Sequence, residues 1–231
     1  MPAYTKTILC LSNSRRPGGT CVAGKELVDG VVGGWIRPIN LQHHNAIGVN
    51  DLRLEGGGRA DVFDVLTVPM LEARPNGHQT ENHLIDTGSL WIKDGAASWE
   101  DIEAATDAGV GPLWLNGNSS YHGTNDNIPQ TSLGGIASSL KLIRPSRLAI
   151  VVGRESQYGG GTKRKIRADF DLNGTRYNFV ITDPWAETIY FAQNDGTYQI
   201  GESRLCVSLA EVGYGVATKL VATVITPNRI G

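Results

Sequence analysis

Ser12-Asn13-Ser14-Arg15-Arg16 is the densest polar run in this 231-residue chain. Serine hydroxyls and an asparagine amide can hydrogen-bond phosphate or base edges, and arginine grips phosphate through a two-pronged guanidinium. The same run also fits an Asx or Ser turn that closes a first strand. Trp35 with Arg37 is a second candidate. An indole beside a guanidinium can stack on a base and clamp it, at about 1–3 kcal/mol per stacked base; a core tryptophan capped by an arginine has the same spelling. The third group lies in residues 141–167, where eight basic side chains meet one acid, Glu155. Tyr158-Gly159-Gly160-Gly161-Thr162 interrupts that run with glycines that let backbone amides come close to a ligand. Lys163, Arg164 and Lys165 follow directly and would track a phosphate backbone. The first 25 residues add Lys6, Arg15, Arg16 and Lys25 with no acid at all. Such patches, if they share a face, are the electrostatic footprint of phosphate recognition. A solvated sheet face, neutralised by nearby acids, is the competing reading.

Other chemistries find little support. His43 and His44 are adjacent, so on a strand they point to opposite faces and cannot easily share an ion. His78, His83 and His122 lack the spacing of an HExxH site. Cys10, Cys21 and Cys206 form no CxxC pair, and all three lie in apolar strand contexts where inert thiols are usual. No GxSxG occurs. Pro17-Gly18-Gly19 is not followed by Gly-Lys-Ser/Thr, and Gly56-Gly57-Gly58 lacks the helix of a dinucleotide site. No catalytic residue, metal or cofactor is therefore expected.

Composition sets the outer limits. With 21 Lys+Arg against 23 Asp+Glu the formal net charge is −2, which argues against a histone-like polyanion binder. Apolar residues at 40% and charged ones at 19% argue against disorder. Glycine at 29 residues and proline at 10 suit a turn-rich β protein. No signal peptide or run of 18 apolar residues is readable, so a soluble, cytoplasmic protein without membrane contact is expected.

Residues 4–11, 20–28, 34–39 and 61–69 read as strands, the first ended by the Ser12–Gly19 cluster. Acids gather from Glu81 to Asp107, where Ser98-Trp99-Glu100-Asp101 spells a helix start. Residues 109–130 read as a long loop, functional or mobile. Strand patterns return at 140–152, 163–172, 175–182, 203–209 and 218–226. Asn173-Gly174 fits a type I′ hairpin turn, and Asp183-Pro184 fits a capped helix start. The expected fold is mainly β: an OB-like small barrel over 1–75, an acidic connector with one or two short helices over 76–139, and a second OB-like barrel over 140–231.

Residues 10–16, 19–24 (Gly-Thr-Cys-Val-Ala-Gly) and 34–38 (Gly-Trp-Ile-Arg-Pro), with 182–184, 205–209 and 219–225, resemble the bacterial dual OB-containing domain family. That resemblance covers both ends of the chain and implies two OB barrels. It also implies a role in prokaryotic defence or other conflict systems, where such domains are thought to recognise nucleic acids or nucleotides, with an effector protein on a separate chain as a further partner. It carries over no catalytic residues. OB barrels bind single strands through a basic groove with aromatic platforms. The expectation is thus a non-enzymatic module for nucleic acid or a nucleotide-like ligand: Ser12, Asn13, Ser14, Arg15, Arg16 and Lys25 on phosphates, Trp35 and Arg37 on a base, Tyr158, Lys163, Arg164 and Lys165 along the backbone. Two alternatives stay open: a metal-dependent enzyme on nucleic acid or modified nucleotides using Asp183, and a protein-interaction adaptor using the acidic middle with exposed Trp91, Trp99 and Trp114.

Overall fold

In the computed structural model, which describes residues 1–157 and 159–230, alternating apolar residues line two separate sheets. The chain divides into two compact units: residues 1–106, 137–140 and 228–231, and residues 107–136 with 141–227. The segment 76–139, expected as a connector, is thus shared out between them.

The first unit begins with β1 (Tyr4–Arg16), β2 (Gly19–Val28) and β3 (Val31–Ile39), followed by β4 (Asp64–Ala73), β5 (Asn82–Ile85), β6 (Ile92–Ala96) and helix α1 (Trp99–Ala105). β1 does not stop at the Ser12–Gly19 cluster. It runs on to Arg16, because Pro17-Gly18 turns the chain tightly enough for Arg16 to pair with Gly19. The same strand pairs with β4 through residues 4–9, so the order β1-β2-β3-β5-β4 closes back on β1. β3 and β5 run parallel and the other barrel pairs antiparallel. At the bend, Gly24 lies against β1 so closely that a Cβ would sit 2.2 Å from the Leu9 carbonyl oxygen. Ile8, Cys10, Val22, Leu66 and Val68 fill this barrel together with Trp91, which is fully buried rather than exposed. Ser98 caps α1 in a capping box with Asp101, as its spelling predicts.

The second unit holds β7 (Asn127–Pro129), β8 (Leu140–Ile143), β9 (Arg147–Ser156), β10 (Thr162–Leu172), β11 (Thr175–Ile181), α2 (Pro184–Phe191), β12 (Gly196–Ile200), β13 (Arg204–Gly213) and β14 (Val216–Ile225); α3 (Pro227–Ile230) follows. The strand expected over 140–152 is two strands, parted at Arg144-Pro145-Ser146. The path β9-β10-β11-β14-β13 repeats the order of the first barrel, again with one parallel pair, β11 with β14. Asn173 and Gly174 both take positive φ, at 50° and 76°, as a type I′ turn requires. Ile166, Ala168 and Phe170 face the core with Tyr177 and Phe179, while Lys165, Arg167 and Asp169 take the alternate positions.

The long 109–130 segment is tied down. Leu113 N–H donates to the Tyr177 hydroxyl at 3.3 Å, Thr124 bridges Asn178, and β7 pairs with β14. The strands β5, β6, β7 and β12 escape sequence reading because they span only three to five residues. No helix among the described residues is long and apolar enough to cross a membrane.

Candidate nucleic-acid interface

The β1–β2 hairpin presents the first basic group. Strand alternation sends Ser12, Ser14 and Arg16 to one side and Asn13 and Arg15 to the other. Ser12 and Ser14 are buried. The Ser12 hydroxyl donates to the Cys21 carbonyl at 3.4 Å, and the Thr20 hydroxyl donates to the Ser14 carbonyl at 2.9 Å and to the Asn13 amide oxygen. These polar groups therefore serve the hairpin itself. Arg16 reaches sideways, with Nη2 donating to the His44 carbonyl at 2.9 Å. Thr20 and Ile47 exchange backbone hydrogen bonds at 2.8–2.9 Å and dock the 41–47 loop on the strand. Arg15 remains exposed at the tip.

Trp35 and Lys25 are direct neighbours across β2 and β3. The ammonium sits 5.0 Å from the indole ring centroid, and both side chains are buried, Trp35 to 8% exposure. The indole thus presents no open face for a base. Arg37 is buried to 1% exposure, with Nη2 donating to the Ser139 hydroxyl at 2.9 Å and lying 3.2 Å from Glu81 Oε1. The Ser139 hydroxyl donates in turn to that carboxylate. What reads in sequence as a base clamp is a buried polar network of the first unit.

The second basic group lies on the β9–β10 hairpin of the second unit. Tyr158 lies outside the described residues. Around it, Gln157 and Gly161 close the turn with a 3.1 Å backbone hydrogen bond. Pairing sets Lys163 opposite Glu155, Arg164 opposite Arg154 and Lys165 opposite Gly153. Arg164 turns away from the tip to the end of α2, donating to the Phe191 carbonyl at 2.7 Å, to the Gln193 carbonyl, and to Asp195 at 2.8 Å. A cation at a helix C-terminus satisfies orphan carbonyls and complements the dipole. Arg167 takes Glu155 at 2.5 Å and lies 3.7 Å from Asp126. Further along, Arg147 and Arg176 share Asp169 at 2.9 and 2.6 Å, and Arg147 also holds Asp171. Burial pushes the Asp169 carboxyl up, but the hydrogen bonds from Arg176 and Arg147 outweigh it and hold its pKa below the usual range.

This ladder engages three of the eight cations between residues 141 and 167: Arg147, Arg164 and Arg167. Arg167 holds Glu155, the acid that the register sets opposite Lys163. Lys163 and Arg154 are exposed, and neither side chain makes a hydrogen bond or ion pair with another described residue. Lys165 is half-buried beside them. Arg154 belongs to this group although its position in the basic run does not mark it out; only the hairpin register does.

Asp183 caps α2, accepting from Trp185 N–H at 3.1 Å and from Val224 N–H at 2.9 Å. Both carboxylate oxygens are thus engaged by backbone, which removes the residue on which a metal-dependent reaction was to rest. Among the described residues no cluster of three His, Cys, Asp or Glu side chains is placed to hold a metal. Of the tryptophans assigned to an adaptor surface, Trp91 is sealed in the core, and Trp99 and Trp114 are half-buried. Burial pushes the Cys10 thiol up to about 12, so it stays protonated and inert.

No curated protein and no solved structure matches the chain. The family model described as the dual OB-containing domain matches residues 6–224, nearly the whole length. Two β units of matching strand order and a match of that extent lead to one assignment: the chain belongs to the dual OB-containing domain family.

Proposed function

We propose that this protein is a non-enzymatic recognition module that binds nucleic acid or a nucleotide-like ligand through its phosphates. The contacts are the cations at the tip of the β9–β10 hairpin, Arg154, Lys163 and Lys165 beside Gly159–Gly161; Arg15 and Arg16 beside Pro17-Gly18 are a contact set of their own in the first unit. One observation carries the reading. Arg147, Arg164, Arg167 and Arg176 are all held by acids or carbonyls, whereas Arg154 and Lys163, next to a glycine turn, have no such partner among the described residues. Exposed cations beside a glycine turn suit a phosphate, which accepts from side chains and from amides together. Trp35 and Arg37 leave the contact set because both are buried. Within a defence system such a module would read the nucleic acid or nucleotide and pass the signal to a separate effector.

Fluorescence anisotropy with labelled single-stranded DNA, single-stranded RNA and duplex at several salt concentrations tests this. Binding should weaken linearly on a log–log scale. Each of Arg154→Ala and Lys163→Ala should reduce the slope by about 0.7 on single strands. Arg74→Ala, which breaks a surface pair with Glu72, should leave it unchanged. Undetectable affinity, or affinity indifferent to salt, overturns the reading.

A further inference from the structure

The edges of the two sheets are treated differently. β6, at the border of the first sheet, has the sequence Ile-Lys-Asp-Gly-Ala, and its pairing with β4 is broken by a register shift. Charge and irregularity of this kind are how proteins keep an open edge from pairing with another chain. β12 lies at one end of the second sheet and, among the described residues, pairs with β9 alone. Its sequence, Gly-Thr-Tyr-Gln-Ile, holds no charge and no proline, and its register with β9 runs unbroken through all five residues. Thr197 and Gln199 are exposed, while Tyr198 and Ile200 pack against the barrel core. Tyr198 is further held by the ring of Tyr190 in α2, 5.8 Å away, and by its hydroxyl, which donates to the Asn194 carbonyl at 2.8 Å. β12 is therefore a rigid strand with an unprotected edge.

The strand is also complementary to itself. Antiparallel pairing of two copies about Tyr198 sets 197 against 199 and 196 against 200. The paired segment 196–200 brings no like charges together, and the two tyrosines meet as a cross-strand pair, a favourable arrangement. A two-fold axis is the common symmetry for such a contact. We propose that β12 is a self-association edge along which two copies of this chain pair antiparallel about Tyr198, joining their second sheets. So short an edge buries far less than the ~1,600 Å² of a standard interface, so the dimer forms reversibly with concentration.

Sedimentation velocity on the full chain over a wide concentration range provides the test. The wild type should rise from the mass of one chain toward that of two. Thr197→Lys with Gln199→Lys puts lysine opposite lysine twice and should weaken association about tenfold. Thr197→Lys with Gln199→Glu puts lysine opposite glutamate twice and should restore it. All of these side chains are exposed, so thermal melts should match. If a variant melts early, hydrogen exchange on the wild type decides instead: the amides of 196–200 should gain protection as concentration rises. A wild type that stays monomeric, a double-lysine variant that associates unchanged, or a lysine–glutamate variant that fails to recover would each overturn the proposal.

Discussion

Lys219 lies wholly inside the second unit, its ammonium donating to the Leu115 carbonyl at 2.5 Å and facing the rings of Tyr177 and Phe179, each 5.9 Å away. Burial pushes its pKa down to about 8, against the pull of Asp126 in the opposite direction. In the unfolded chain the amine holds its proton to ~10.4. Between those values the unfolded state binds more protons, so the contribution of Lys219 to stability rises with pH. It is complete above the unfolded value and lost as pH falls through about 8. Urea unfolding of the wild type and Lys219→Met should therefore show a stability difference that moves in favour of the wild type from pH ~8 to ~10. Taking the difference matters, because Cys10, with its raised pKa, works in the opposite direction over the same range. Arg37 and Glu81 allow a second prediction at this scale. Removing one partner of a buried pair strands the other charge, so Arg37→Met or Glu81→Leu should each cost about 3–5 kcal/mol in urea melts, and the double variant much less than the sum. The position of Arg37 two residues after Trp35 is legible in sequence, but its partners are not. Ser139 stands 102 residues away, and only folding brings it within 2.9 Å.

The curved first strand explains why local patterning succeeds in one place and fails in another. β1 pairs with β2 and β4 at once, and the bend requires that Gly24 lie against Leu9. Gly24→Ala should destabilise the first unit by about 1–3 kcal/mol, since backbone must shift to admit a methyl. Gly34→Ala, where a Cβ would meet nothing within 4 Å, should stay within ~0.5 kcal/mol in the same thermal or urea melt. Elements with strong local signals are readable from sequence: the Ser98 capping box, the Asn173-Gly174 turn, and the Asp183-Pro184 start of α2. The hydrogen bonds that define those turns and caps close within a few residues. β5 and β12 lack such signals because a short strand is stabilised by the neighbours it pairs with, which lie elsewhere in the chain.

Across the whole molecule, the near-neutral charge of −2 hides a basic run that the second unit neutralises in part with its own acids. Counting charge along the chain therefore overstates the cationic surface, and binding through the remaining tips should be modest and steeply salt-dependent. Mainly β structure, two barrels and membership of the dual OB-containing domain family were already readable from alternation, turns and the terminal motifs, because hydrophobic periodicity is written in adjacent residues. The structure alone decided that residues 82–85 complete the first barrel, that 107–136 belong to the second unit, and which cations of the basic run are held by acids. Pairing of charges and strands depends on distances between residues remote in sequence, and those distances exist only once the chain has closed its sheets.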